Sequence, residues 1–323
     1  ASVSCEFSFR PNMPMQINTG DMSRTALVAA GVPVPGGGNV TVPGSDNTHR
    51  DLAGNVQPGD YIAGYERKEF YQAQVTFVNF IDRVMGASRL ALADGRTLIA
   101  KHGPTTAREA RMLGAMHALG APVPEVVGMQ DDWLVMTDAG AARPLDEAAW
   151  HSLADALDIL HAAAKAEPYG WSEDHAFRHV AVHNAQRTDW VAFWRDQRLL
   201  CHVPPLPAPL AQRVESLAAR LADLLPRHPP PALLHGDLWG GNIVWNGAAL
   251  TLIDPCAYHG DREVDVAALT VFDTPPPQFF EQLDLAPGWQ KRLPVYRLWM
   301  WLIHVRLFGS GYRAAAERDL DQL

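Results

Sequence analysis

The feature that most constrains this chain is the stretch over residues 233–265, LLHGDLWGGNIVWNGAALTLIDPCAYHGDREVD. Asp237 stands five residues before Asn242, so both can project from one tight loop. Two short apolar segments follow, residues 243–245 and 250–253, joined through Asn246-Gly247. Both residues of that dipeptide tolerate positive φ, which makes it a strong signal for a two-strand turn. The spacing therefore predicts a hairpin whose second strand returns to the loop and delivers Asp254 beside Asp237 and Asn242. Asp, Asn, Gly and Pro also punctuate ordinary turns. HGD or IDP alone would thus say little, and the information lies in their order with a hairpin between them.

Three oxygen-bearing side chains in this arrangement suit phosphoryl transfer. Moving the γ-phosphoryl group of ATP to a hydroxyl passes through a loose transition state, so a protein mainly positions the nucleophile and neutralises charge. Asp237 is the candidate to accept or orient the hydroxyl proton, and Asn242 and Asp254 are the candidates to hold Mg²⁺ through hard oxygen atoms.

HGDLWGGN, LIDP and YHGDREVDVAAL resemble the signature of the fructosamine kinases, or ketosamine 3-kinases, a branch of the aminoglycoside phosphotransferase group. The resemblance extends through DWVAFWRDQRLL at 189–200 and LPVYRLWMWLIHVRLFGSGY at 293–312, and covers residues 87–323. It implies an α+β, protein-kinase-like two-lobe fold, with a small β-rich N-lobe, a mostly helical C-lobe and the site in the cleft. Three departures stand out. Gly240 replaces the family's usual Ser, CAYHGDRE replaces a segment closer to ACYYGDRE, and the turn MGAS at 85–88 replaces a longer loop with two glycines. The first two bear on substrate choice, the third on ATP binding and closure.

Composition narrows the function classes. The 323 residues exceed one compact core, so two units are expected. A formal net charge of −9 disfavours nucleic acid or an anionic membrane as the main partner. The 3 cysteines, Cys5, Cys201 and Cys256, have no paired spacing, which argues against a disulfide framework or zinc site. Without a signal-like start or a long uncharged apolar run, the chain reads as cytoplasmic.

Three regions follow: residues 1–72, Gly/Pro-rich and without helical periodicity; a kinase-like N-lobe over 73–140; and a helical C-lobe over 141–323. Gly36 to Gly38 lie too far from the candidate ATP lysine to be its phosphate loop. From Gln74 the pattern predicts three antiparallel strands, with Asp94-Gly95 as a turn and the third strand ending at Lys101. The family pattern implies that Lys101 contacts the α- and β-phosphates. The following helix has Thr106 and Glu109 at capping-box spacing, and the same pattern implies that Glu109 pairs with Lys101. Residues 136–139, with Met136 and Asp138, form the hinge whose backbone meets adenine in the family.

In the C-lobe, Leu153, Leu157 and Leu160 mark an amphipathic helix with His161 beside the stripe as a core histidine. Segments 188–200, 209–225 and 295–308 add further helices. His235 is expected to orient the catalytic loop, and Asp265 to brace it from the start of a helix. Arg262 and Glu263 read as surface or bracing charges. Trp239, Tyr258 and Trp299 are candidates for a sugar-binding wall. The activity implied is ATP- and Mg²⁺-dependent phosphorylation of the sugar 3-hydroxyl of a ketosamine, free or on a glycated protein amine. Another hydroxyl kinase of the same group, or a non-catalytic nucleotide-binding protein, remains an alternative.

Overall fold

The computed structural model describes residues 87–92, 94–162 and 168–323, together with the backbone of four short strands earlier in the chain. Those strands are β1 (Glu6–Phe7), β2 (Met13–Gln16), β3 (Tyr65–Lys68) and β4 (Val75–Val78). Gly36 to Gly38, most of residues 1–72, and Met85 and Gly86 of the short turn lie outside the described residues. The chain divides into two compact units, Ala1–Lys101 and His102–Leu323. Among the described residues no helix is long and apolar enough to cross a membrane.

In the first unit β4 pairs antiparallel with β1 and with β5 (Ala87–Leu92), and β5 pairs antiparallel with β6 (Thr97–His102). The β5–β6 register, Arg89 opposite Ile99, is set by the Asp94-Gly95 turn. Gly95 takes φ +85°, and the Asp94 carboxylate accepts the Arg96 N–H at 3.0 Å. A separate ladder joins β2 to β3.

The second unit opens with α1 (Thr106–Ala118) and the β7–β8 hairpin, Val126–Gln130 and Trp133–Thr137. The expected capping box does not form. Thr106 is the first helical residue rather than the cap, and its hydroxyl donates to the Gly103 and Asp132 carbonyls at 2.9 and 3.0 Å. The Glu109 N–H is taken instead by the Thr105 carbonyl at 3.0 Å.

Helix α2 (Glu147–His161) starts at Asp146, whose carboxylate accepts the Ala149 N–H, and buries Leu153, Leu157 and Leu160. The hairpin β9–β10 (His175–Phe177, Val180–Val182) leads to α3 (Trp190–Trp194). The segment 188–200 is not one regular helix. After Trp194 it widens into a π-helical turn, Arg195–Leu199, which carries Arg198 into the interior. There the guanidinium stacks on Tyr258, Trp299 and Phe193 at 4.1, 4.6 and 4.7 Å from their ring centres. It also donates to Asn184 Oδ1 at 2.7 Å and to the His183 carbonyl.

Helix α4 (Ala208–Ala219) precedes β11 (Ala232–Leu234), the hairpin β12–β13 (Ile243–Trp245, Leu250–Leu252) and β14 (Tyr258–Gly260). The chain ends with α5 (Glu263–Phe272), α6 (Pro277–Gln282), α7 (Trp289–Phe308) and α8 (Arg313–Leu320). Residues Val264 to Leu269 are buried on every side of α5, so this helix is central to the core. Glu263 at its start is buried and makes a two-pronged ion pair with Arg292 of α7, at 2.6 and 2.5 Å.

Removing one partner of such a pair leaves an uncompensated charge. Arg292→Met is expected to lower unfolding stability by about 3–5 kcal/mol, read from the urea midpoint. The double variant with Glu263→Gln should lose much less. Equal losses in the two proteins would mean that the pair is not what holds α7 to α5.

Candidate active site

The loop between β11 and β12 carries His235, Gly236, Asp237, Leu238 and Trp239, followed by a tight helical turn over Gly240–Asn242. Gly236 is required here by both criteria that single out glycine. It takes φ +77°, and a Cβ on it would run into the Cys256 carbonyl. The loop hangs from one buried carboxylate. Asp265, in the first turn of α5, accepts the His235 N–H at 2.8 Å and the Gly236 N–H at 2.9 Å, and His161 Nε2 donates to it at 3.2 Å. His161 is thus a core histidine with a defined task.

His235 is fully buried. Its Nε2–H donates to the Ile253 carbonyl at 3.0 Å, which leaves Nδ1 as acceptor facing the Asp237 N–H at 3.4 Å. Burial pushes its pKa down, against the pull of Asp265. The imidazole is therefore neutral and committed to holding two segments together, and it is not free to act as a base.

Asp237 and Asn242 meet directly. Asn242 Nδ2 donates to the Asp237 carbonyl at 2.8 Å and to Asp237 Oδ2 at 3.0 Å. Asn242 is fully buried, and its Oδ1 has no hydrogen-bond partner. The hairpin behind it pairs Ile243 with Leu252 and Trp245 with Leu250. Its connection is a four-residue turn rather than a two-residue one, because the Asn246 side chain accepts the Ala248 and Ala249 N–H groups at 3.0 and 2.9 Å. The second strand returns as expected, tied by Ile253 N–H to the Asn242 carbonyl at 3.0 Å, and the next residue is Asp254.

Asp254 takes φ +56°, one of three non-glycine residues with positive φ among those described. That conformation costs an L-residue roughly 1–2 kcal/mol, and such strain clusters at functional sites. Removal from water and the fields of Asp254 and Asp265 push the Asp237 pKa up to about 7, although the Asn242 hydrogen bond works the other way. An orphaned amide oxygen beside carboxylates that repel one another is a donor set suited to a hard cation. Among the described residues no three His, Cys, Asp or Glu side chains form a complete metal cage. Mg²⁺ does not need one, since it is usually held by one or two protein oxygens together with phosphates.

The remaining candidates lie on several elements. Lys101 lies on β6 in the first unit, and Glu109 in the first turn of α1 in the second. The Met136 side chain is core. Asp138 accepts the Gly140 N–H at 2.9 Å, and the Ala139 carbonyl accepts from Asn246 Nδ2 at 3.2 Å, so this segment is fastened to the β12–β13 turn. Tyr258 and Trp299 are fully buried with their faces against Arg198, so they are not walls for a ligand. Trp239 is partly exposed and meets Phe272 edge to face at 5.9 Å. Phe272 in turn meets Trp301 and His304 at 5.6 and 5.1 Å. The sequence signal for this surface was the helical spacing of Trp301, His304 and Phe308, which equally describes a core stripe. Asp273 was also missed: its Oδ2 accepts the Gly240 N–H at 2.7 Å.

Fold and loop together define the protein-kinase-like class, α+β and two-lobed, with Asp237 and Asn242 joined on one loop and Asp254 following the hairpin behind it. The fructosamine kinase family model matches residues 102–323, more than half of the chain, and the chain belongs to that family. A second model, described as a protein of unknown function (DUF1302), matches residues 1–143. "Probable ketoamine kinase slr1563" of Synechocystis sp. is 34% identical over 191 residues, which span 54% of this chain and 61% of that protein, less than two thirds of its length. "Probable ketoamine kinase YniA" of Escherichia coli K12 is 30% identical over 62% of this chain and 74% of its own. A solved structure from Thermobifida fusca, described as a "putative fructosamine-3-kinase", superposes with TM-score 0.67 at 31% identity, covering 73% of this chain and 88% of that one.

The raised Asp237 pKa has a consequence for stability. The folded chain keeps a proton that the unfolded chain releases between about pH 4 and pH 7, so this group's stabilising effect is full below pH 4 and is lost as pH rises through 7. Without ligands, Asp237→Asn is expected to melt at least about 2 °C above the parent at pH 8. The gap should close toward pH 4. A pH-independent difference, measured by thermal denaturation, would show that Asp237 carries no such buried charge.

Proposed function

We propose that this chain transfers the γ-phosphoryl group of ATP to the 3-hydroxyl of a ketosamine, in a reaction that serves deglycation. The observation that carries the reading is the Asp237–Asn242 pair, with the Asn242 amide oxygen buried and unpartnered and Asp254 delivered behind it by the β12–β13 hairpin. The names carried by the relatives supply the acceptor class.

In this reading Asp237 orients the acceptor hydroxyl and takes its proton as the bond to phosphorus forms. A pKa of about 7 leaves it basic enough to take the proton while part of the population is ionised at neutral pH. Asn242 Oδ1 and Asp254 would hold Mg²⁺, which when bound offsets the negative charge of the phosphates. His235 and Asp265 keep the loop in shape, and the neutral state of His235 leaves the proton transfer to Asp237.

Asp237→Ala is expected to cut ADP release by on the order of 10²- to 10⁴-fold, and Asp254→Ala to remove the Mg²⁺ dependence of ATP binding. The deciding assay is ADP release from Mg·ATP with fructosamine, ribulosamine and aminoglycoside acceptors, with Asp237→Ala as the blank. Turnover confined to ketosamines supports the assignment. Turnover on aminoglycosides alone moves it to another member of the same group. A variant at Asp237 or Asp254 with near-parental turnover would remove the proposed roles.

A further inference from the structure

Asp273 follows the last residue of α5, far from the motif in sequence, yet its carboxylate sits on the catalytic loop. Oδ2 accepts the Gly240 N–H at 2.7 Å. Gly240 lies three residues after Asp237 and opens the turn that ends at Asn242, which is bonded back to Asp237. The carboxylate is thus fixed to the same short segment as the proposed base. Its other oxygen, Oδ1, makes no hydrogen bond or ion pair among the described residues, and Asp273 is partly exposed.

This placement depends on the residue at 240. A Cβ on Gly240 would run into Asp273 Oδ1, so a side chain there and a carboxylate in this position exclude each other. Gly240, where the family usually has Ser, is the residue that leaves room for the Asp273 carboxylate. Gly241 makes a similar allowance. A Cβ on it would strike the Trp239 ring, so the bare backbone lets the indole fold over it toward Phe272, which is 47% exposed. Asp273 follows Phe272 in the chain and Trp239 precedes Gly240, so the carboxylate and this aromatic pair adjoin the same loop.

That combination is chemically specific. A hydroxyl gains little there beyond what water supplies. A protonated amine gains a charge-assisted hydrogen bond from the carboxylate and attraction from the faces of the rings. We propose that Asp273, with Trp239 and Phe272, is a specificity-determining site that receives the protonated amine of the acceptor. The inference rests on the site being one that phosphorylates an amine-bearing sugar. It assigns to Asp273 the discrimination of such sugars from neutral ones.

The test uses the full chain and two ligands that cannot be phosphorylated at the 3-position: the 3-deoxy analogue of a fructosamine, and its N-acetyl derivative, which carries no ammonium. Calorimetry should show the parent binding the amine about ten- to a hundred-fold more tightly than the amide. Asp273→Asn keeps an oxygen for the Gly240 N–H but removes the charge, and should abolish the preference while amide binding stays within about two-fold. Gly240→Ser, which pushes the carboxylate aside, should do the same and covers the case in which Asp273→Asn fails to fold. Equal weakening of both ligands, a preference that survives both variants, or no preference in the parent would each overturn the inference. ADP release with fructosamine, measured in parallel, reports separately on the kinase reading. Intact turnover with no effect of Asp273 sinks only the role of Asp273, whereas an absence of turnover on every acceptor sinks the kinase assignment.

Discussion

A single buried carboxylate sets the geometry of the site. Asp265 is fully removed from water, a position that would be costly for an isolated charge. Two backbone N–H groups and His161 converge on it, and those donors turn the cost into a lock. The lock propagates because His235, whose backbone it holds, is itself a link. Its ring donates to the Ile253 carbonyl, and its own carbonyl accepts the Cys256 N–H at 2.9 Å. Helix α5, the β11–β12 loop and the segment carrying Asp254 are therefore one connected unit.

The lock brings like charges together. Burial first, and then the fields of Asp254 and Asp265, push the Asp237 pKa up toward neutral pH. Asp254 adds a strained backbone, and Asn242 adds a buried oxygen with no partner. In a purely structural loop each of these is a defect that substitution would remove. A cation placed among them would relieve the repulsion and satisfy the oxygen, so the three defects have one remedy. That coincidence is what the proposed cation site requires, and an exchange of stability for function would account for it.

Most of this was legible in the sequence where a local rule governs. The Asn246-Gly247 turn, the Asp94-Gly95 turn and the amphipathic stripe of α2 follow from backbone tolerance and periodicity. The β12–β13 hairpin delivers Asp254 because its two strands are apolar on one face and its turn residues permit reversal. Sequence reading failed where the outcome depends on a distant partner. Thr106 has the spacing of a cap, but the Gly103 and Asp132 carbonyls compete for its hydroxyl. The segment after Trp194 has helical periodicity, yet bringing Arg198 inward requires a wider turn. Asp273 reads as punctuation after a helix until Gly240, remote in sequence, is seen to leave room for it.

The aromatic residues show the same limit most sharply. Tyr258, Trp299 and Trp239 are alike in type, and all lie in or near the motif regions, but their surroundings divide them by charge. Arg198 is buried and makes no ion pair among the described residues, so its charge is met chiefly by ring faces and by carbonyl and amide oxygens, each desolvated cation–π contact contributing about 2 kcal/mol or more. Tyr258 and Trp299 are consumed in that task, and the Tyr258 ring also lies beneath Gly236, so the cage supports the floor of the catalytic loop. Among the described residues no cation stacks on Trp239. Its ring is turned by Gly241 toward Phe272 and the partly exposed surface beyond. The chain thus turns aromatic faces to positive charge around its own buried guanidinium, where they hold the loop from below, and the proposed ammonium would give Trp239 and Phe272 the same use at the loop's outer side.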